Sequence, residues 1–92
     1  MLTSFDEGTA AYFGKMLDWL ENFIKSGVEE GRFSEKQAHQ DLQIALWYAF
    51  ACLNLDDYIH YYRAAEWMKD SEKNATGCAT WYYRYSVALM YC

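Results

Sequence analysis

Apolar residues recur at intervals of three and four along most of the chain, which is the spacing of one helix face. The first such segment extends from about Phe5 to Lys25, and Gly27 follows it as a candidate helix cap. Its apolar positions are Phe13, Met16, Leu17, Leu20, Phe23 and Ile24. The pattern predicts one amphipathic helix, followed by a loop over residues 27–32.

A second helix is predicted from about Glu35 to Leu53. Ser34 stands before it and Gln37 follows three residues later, which is the spacing of a capping box that satisfies free N–H groups at a helix start. One face carries Leu42, Ala45, Leu46, Ala49 and Leu53, and the other side carries Ile44, Trp47, Phe50 and Ala51. Because apolar residues surround this helix, we expect other elements to cover it on more than one side.

A third helix is predicted from about Asp57 to Lys69, with Asn54 or Asp56 as its cap, and a fourth from about Cys78 to the end. A short polar turn separates the two. The chain contains no proline and no apolar alternation of period two. The pattern therefore predicts an all-α fold: a single domain of residues 1–92 in which four helices form an array of antiparallel helical hairpins.

The segment LQIALWYAFACLNLDDYIHYYRAAEWM, residues 42–68, resembles a tetratricopeptide repeat, a helix–turn–helix unit of about 34 residues. The order of large and small residues carries the resemblance: Leu42, Ala45, Leu46 and Ala49 in the first helix, and Tyr62 and Ala65 in the second. The last helix is similar to the opening helix of a further repeat. It places Trp81, Arg84, Tyr85 and Ala88 in the matching positions.

The resemblance implies a tetratricopeptide-like division of the domain. Residues 1–33 would form an N-terminal helix and loop, residues 34–70 a helical hairpin, and residues 78–92 the first helix of an incomplete second repeat. A generic four-helix bundle is the alternative arrangement.

In tetratricopeptide proteins the opening helices line a groove that holds peptide segments, so the resemblance implies a partner-binding groove here. Its residues would be Gln43, Trp47 and Phe50 from the second helix, and Tyr82, Ser86 and Leu89 from the fourth. The alternative is that Trp47 and Phe50 pack under the first helix as core residues, which would leave no ligand site.

The last fourteen residues, ATWYYRYSVALMYC, contain five aromatic side chains and one charge. Trp81, Tyr85, Ala88 and Cys92 share the side that can face the preceding hairpin. On another side lie Tyr83, Val87, Met90 and Tyr91, for which the pattern offers no cover. Because a repeat unit without a polar cap packs against a neighbour, we expect self-association through these residues, as a two-fold homo-oligomer.

The charge balance argues against two classes of partner. The formal net charge is -5, and the eight basic residues are scattered. Neither nucleic acid nor an anionic membrane surface is therefore expected as a partner. The longest uncharged apolar run, residues 44–53, is too short to span a bilayer. The first residues lack a secretory signal pattern, and three cysteines are typical of reduced thiols, so a cytoplasmic location is expected.

The candidate chemistry is sparse. Asp56, Asp57 and His60 have a spacing that could hold a divalent metal on a helix face. A capped helix start with an exposed histidine is the simpler interpretation. His39 is expected to be solvated, and Cys78 lies near a helix start without a base beside it. We therefore expect no catalytic residue, no cofactor and no metal.

The sequence favours a non-catalytic protein–protein interaction module whose partner is a protein, a peptide or a second copy of the chain. A first alternative is a fragment or shortened relative of a longer tetratricopeptide-like scaffold with a structural role. A second, from another class, is a small metal-dependent enzyme that would depend on Asp56 and His60.

Overall fold

The computed structural model describes residues 7–92, and within them every regular element is helical, which confirms the all-α prediction. The α-helices are α1 (Glu7–Glu29), α2 (Glu35–Gln40), α3 (Leu42–Leu55), α4 (Tyr58–Met68) and α5 (Ala79–Tyr91), and a 3₁₀ helix (Lys69–Asn74) follows α4. The predicted helix start at Phe5 lies outside the described residues. Five α-helices are present in this part of the chain rather than the predicted four.

The first helix continues past its predicted end. Gly27 lies inside α1 and does not cap it. The ring of Phe33 packs directly over this glycine, in the space that a Cβ would occupy. The cap is Gly31, whose φ of 76° is in the left-handed region that glycine favours. The following N–H of Arg32 bonds to the Gly27 carbonyl oxygen at 2.9 Å and closes the helix end.

The predicted second helix is divided at Asp41. This residue has extended dihedral angles (φ -72°, ψ 125°), and its carboxylate Oδ1 accepts the Ile44 N–H at 2.8 Å. Asp41 therefore ends α2 and caps α3, a competition between side chain and helix backbone that is common for aspartate. The capping box of Ser34 and Gln37 is confirmed by reciprocal bonds of 3.0 and 2.8 Å.

The link between α3 and α4 consists of two aspartates with different roles. Asp56 has a φ of 55° and ends α3 in the left-handed conformation. Asp57 is the N-cap of α4, because its Oδ1 accepts the His60 N–H at 2.8 Å. Asn54 instead donates its side-chain amide to the Phe50 carbonyl. The cap is therefore Asp57, one residue after Asp56 and three residues after Asn54, which were the two predicted candidates.

α3 is the central helix of the molecule and packs against α1, α4 and α5. α4 also packs against α5, while α2 packs against the 3₁₀ helix. Small residues dominate the interior and let the helix axes approach closely. The buried alanines of α3, α4 and α5 are Ala45, Ala49, Ala51, Ala64, Ala65 and Ala88, and Ala38 of α2 and Ala75 after the 3₁₀ helix are buried as well. Cys52 is completely buried among them.

A polar cluster joins three helices at one edge of this core. Arg63 of α4 donates to the Tyr48 hydroxyl of α3 at 3.1 Å and forms an ion pair with Glu21 of α1. Burial raises the pKa of Tyr48 to about 12, so its hydroxyl stays protonated and neutral at physiological pH. The cluster gives α1 a fixed position relative to the α3–α4 pair.

The last helix buries one side against the rest of the molecule. Trp81 and Ala88 are completely buried, and Tyr85 is half-buried. The prediction that these three face the preceding hairpin agrees with their burial. Cys92 was placed in the same group but is exposed, because it follows the last helical residue.

Candidate interaction surfaces

An open cleft lies between α1 and the first half of α3, and four aromatic side chains line it. We call it the aromatic cleft; its lining residues are Trp19, Leu20, Phe23, Phe33, Asp41, Gln43, Ile44 and Trp47, and its volume is about 410 Å³. Trp19 and Phe23 are one helical turn apart on α1, and their rings stack with centroids 5.5 Å apart. Phe33, from the loop after α1, lies 5.9 Å from Phe23. The cleft is therefore apolar, with Asp41 and Gln43 as its polar groups.

A groove continues from this cleft along the outer face of α3. Trp47 also lines a second cleft of about 300 Å³, together with Tyr12, Met16, Phe50 and Arg84. Phe50 and Arg84 in turn line a third cleft of about 300 Å³, with Leu53, Asn54, Tyr83 and Val87. Arg84 occupies the middle of this groove: its guanidinium lies 5.2 Å from the centre of the Phe50 ring and donates to the Leu46 carbonyl at 2.7 Å.

The structure brings together only half of the predicted groove residues. Gln43, Trp47 and Phe50 follow one another along α3 and line these connected clefts. The predicted α5 residues Tyr82, Ser86 and Leu89 line none of the three clefts. The side of α5 that meets the groove carries Tyr83, Arg84 and Val87 instead, because one residue along a helix rotates the side chain by about 100°.

Trp47 and Phe50 are neither core residues nor the floor of a fully open groove. They are 47% and 39% exposed, and the ring of Phe13 in α1 packs edge-on against Phe50 at 5.5 Å. The first helix therefore covers part of α3, as expected in the interpretation that placed Trp47 and Phe50 under it. It also supplies one wall of the groove, which the sequence did not indicate.

Sequence reasoning also missed groove residues on α1. Tyr12, Trp19 and Phe23 are spaced by seven and four residues, so they share one side of the helix, next to its buried stripe of Leu17, Leu20 and Ile24. This spacing was the available signal. Tyr12 and Trp19 lie outside the apolar positions assigned from the sequence pattern, and they indicated a wider apolar face on this helix.

The outer side of α5 forms a second apolar surface, which we call the α5 stripe. It consists of exposed residues at helical spacing: Ala79, Tyr82, Tyr83, Ser86, Leu89 and Met90. Tyr82, Tyr83, Leu89 and Met90 are 46%, 70%, 51% and 69% exposed. The stripe contains no charged residue.

The predicted self-association residues divide between this stripe and its edge. Tyr83 and Met90 belong to the stripe. Tyr91 is also exposed, but its ring contacts Tyr61 of α4 at 5.2 Å. Val87 is half-buried beside Phe50 in the third cleft.

The acidic group at the start of α4 is engaged in local hydrogen bonds. Asp57 Oδ1 accepts the His60 N–H and lies 2.8 Å from the imidazole Nδ1, and these hydrogen bonds lower the pKa of the Asp57 carboxyl. Asp56 accepts the Tyr61 hydroxyl at 2.6 Å, which raises the pKa of Tyr61 to about 12. Among residues 7–92, no group of three His, Cys, Asp or Glu side chains is arranged to hold a metal ion. The His60 side chain is also less exposed than the capped-helix interpretation expected.

His39 and the three cysteines differ in burial and in their contacts. His39 stacks on Trp67 with ring centroids 3.8 Å apart and is partly buried. The sequence had predicted a solvated side chain at this position. Burial raises the pKa of the Cys52 thiol to about 12. Cys78 is the residue before α5 and makes no side-chain capping bond, and Cys92 is exposed.

Comparison of the chain with protein families, with curated proteins and with solved structures found no match. In the part of the chain that the structure describes, no helix has the length and apolarity needed to cross a bilayer. Among the described residues, the two apolar surfaces, the groove along α3 and the α5 stripe, are the features that indicate a function.

Proposed function

We propose that this chain is a non-catalytic protein–protein interaction module, tetratricopeptide-like in its helix arrangement, that associates with itself through α5. The observation that carries the proposal is the α5 stripe. Four large apolar side chains are about half exposed or more on one face without a charged residue among them. Monomeric proteins rarely leave such contiguous apolar surface uncovered.

The tetratricopeptide-like arrangement is supported by which helices touch. α3 and α4 pack against each other, and α5 packs against both of these helices. α1 packs against α3 as well. Stacked helical hairpins have the same nearest-neighbour pattern. In such stacks an apolar outer face of a helix packs against another unit. The outer face of α5 is apolar and exposed, which supports a second copy as its cover.

The self-association is tested by the molar mass of the purified chain in solution. We expect sedimentation equilibrium to detect a dimer at about 1–200 µM protein. This range covers dissociation constants from about one micromolar to the high micromolar range. Met90→Lys places a charge in the stripe and should give a monomer, because burying an unpaired ammonium is costly. Ile59→Lys is the matched control: Ile59 is an exposed apolar residue on α4, outside the stripe. It should leave the dimer intact. A wild-type chain that stays monomeric throughout this range would contradict the proposal.

A second binding surface is proposed for the aromatic cleft, because four aromatic rings converge there at the surface. The partner that fits is an amphipathic peptide helix with apolar anchors on one face and lysines on the other. Its anchors would fill the cleft, and its positive charge would complement Asp41 and the acidic balance of the chain.

A designed peptide of this kind, with leucine and phenylalanine four residues apart, tests the cleft by fluorescence anisotropy. Trp47→Ala should weaken binding at least tenfold, since buried tryptophan anchors commonly contribute more than about 2 kcal/mol to binding. Tyr58→Ala removes an aromatic side chain that is exposed outside the cleft and should have no effect. Equal affinity for both variants would rule the cleft out as the binding surface.

A further inference from the structure

The spacing of the α5 stripe contains an internal symmetry that specifies how two copies fit together. Ser86 is its central residue and its smallest member apart from Ala79. Tyr82 and Tyr83 precede Ser86 by four and three residues, and Leu89 and Met90 follow it by three and four. All five are exposed in α5. A rotation that reverses the helix about Ser86 therefore places the tyrosines of one copy on the leucine and methionine of the other.

We propose that two copies of the chain pair through antiparallel α5 helices on a two-fold axis that passes beside Ser86. This inference rests on the self-association proposed above and assigns the geometry of that contact. The partner surface is the same stripe, because each half of the stripe complements the other half under this symmetry.

Three physical reasons favour the antiparallel arrangement. A small residue at the crossing point lets the two helix axes approach to about 8–10 Å. Tyrosine rings then pack against Leu89 and Met90, and thioether sulfur makes favourable contacts with aromatic rings. A parallel pair would instead place tyrosine on tyrosine and would align the two helix dipoles unfavourably.

The area and charge of the stripe suit a second copy. At about 200 Å² for a fully exposed side chain of this size, the four large residues of the stripe expose about 500 Å² per copy, so a pair that covered them completely would bury about 1,000 Å². This is at the lower end of specific interfaces. The stripe carries no charge, so two copies meet there without placing like charges in contact.

The geometry is tested by disulfide trapping. The background protein carries Cys78→Ser and Cys92→Ser, while Cys52 remains because it is buried. With axes about 8–10 Å apart and Cα atoms about 2.3 Å from each axis, the two Ser86 Cα atoms lie about 3–5 Å apart. That separation overlaps the range that a disulfide spans. Ser86→Cys should therefore give a covalent dimer under mild oxidation.

Three further variants in the same background separate the possible outcomes. In the antiparallel pair the two copies of position 82 lie about 12 Å apart along the axis, too far for a disulfide. Tyr82→Cys alone should crosslink at least tenfold more slowly than Ser86→Cys, and the double variant Tyr82→Cys with Met90→Cys should crosslink again. Ile59→Cys, on the exposed face of α4, measures the rate of random collision.

Sedimentation of the reduced wild-type chain shows which proposal fails. If the chain is a dimer but Tyr82→Cys crosslinks as fast as Ser86→Cys, the pair is parallel and this inference is overturned. A dimer in which Ser86→Cys crosslinks only at the collision rate uses another surface and also overturns it. If the chain is a monomer at high micromolar concentration, both the inference and the proposed self-association are wrong.

Discussion

Trp81 and Ser71 are joined by a hydrogen bond in the interior of the molecule: the indole Nε1–H donates to Ser71 Oγ at 2.8 Å. Both side chains are completely buried. Ser71 Oγ–H in turn donates to the Met68 carbonyl oxygen at 2.8 Å. This chain of bonds fixes the start of α5 to the 3₁₀ helix that follows α4, and so determines which side of α5 is turned outward.

Replacement of Ser71 should destabilise the protein because it removes the acceptor to which the Trp81 indole N–H donates. Ser71→Ala leaves the buried Trp81 N–H without a partner, which costs about 1–3 kcal/mol of unfolding free energy. Trp81→Phe removes the donor itself, so the double variant Ser71→Ala with Trp81→Phe should lose less than the sum of the single losses. Urea unfolding followed by circular dichroism measures all three. Strictly additive losses would show that the bond contributes nothing.

Two glycines of α1 should respond oppositely to alanine. A Cβ at Gly27 would overlap the Phe33 ring, whereas a Cβ at Gly14 would meet nothing within 4 Å. Gly14→Ala should therefore stabilise the protein by about 0.5–1 kcal/mol through helix propensity. Gly27→Ala should destabilise it by roughly 1–3 kcal/mol through overpacking.

The pair is internally controlled because both substitutions are the same and both sites are helical. Phe33→Leu provides a second check, since a smaller side chain should relieve part of the cost at Gly27 but change nothing at Gly14. Thermal unfolding is sufficient to rank the variants. Equal shifts at the two glycines would show that Phe33 does not restrict Gly27.

The sequence predicted features that depend on residues close together in the chain. The helical periodicity predicted a helical segment at the place of each of the five helices, although α1 and α3 end four and two residues later than predicted, and the capping box at Ser34 and Gln37 is present as expected. The helix break at Asp41 was missed, because an aspartate inside an apolar helical pattern can either point to solvent or cap a new helix. Local spacing does not distinguish these cases.

The groove was predicted only in part because its walls come from three helices. Trp47 and Phe50 could be assigned from the pattern of α3 alone, but the facing side chains depend on how α1 and α5 are rotated about their axes. That rotation is set by tertiary contacts such as the Phe13–Phe50 packing and the Arg84–Leu46 hydrogen bond. A rotation by a single residue selects Tyr83 and Val87 rather than Tyr82 and Ser86.

The cap of α4 should make stability depend on pH in the acid range. The hydrogen bonds from His60 lower the pKa of Asp57 below its ordinary value. Their contribution is therefore fully present above the unfolded-state pKa and is lost as pH falls through the lower folded-state pKa. Asp57 is largely exposed, so solvent screening keeps the effect small.

Asp57→Asn isolates this charge because asparagine caps helices about as well as aspartate. The variant should lose less unfolding free energy than the wild type between pH 6 and pH 2, a window that includes the unfolded-state pKa of about 4. Asp57→Ala removes the cap itself and should cost about 1 kcal/mol at pH 6. Identical pH profiles for wild type and Asp57→Asn would exclude a role for the carboxylate charge.

The three thiols should react at two very different rates. Cys52 is completely buried, and its pKa of about 12 leaves on the order of one thiolate in 10⁴ at pH 8. Cys78 and Cys92 are at least partly accessible. A chromogenic disulfide reagent should therefore titrate two thiols in the native protein and three in urea. Cys52→Ala should leave the native count at two, and rapid reaction of three native thiols would contradict the burial of Cys52.

Self-association through an uncharged stripe should strengthen as salt is added. Each copy has a formal charge of -5, so dimerisation brings two acidic molecules together while the contact itself involves no ion pair. Salt screens the long-range repulsion and leaves the apolar contact almost unchanged. The dissociation constant should fall several-fold between about 20 and 300 mM NaCl, where the Debye length shortens from about 20 to 6 Å.

A variant with a more acidic surface provides the control. Lys36→Glu adds negative charge to each copy, and Lys36 lies on α2, which packs against α1, α3, α4 and the 3₁₀ helix. It should steepen this dependence without touching the stripe. An interface held together by ion pairs would weaken with salt instead, and that result would place the contact on a charged surface rather than on α5.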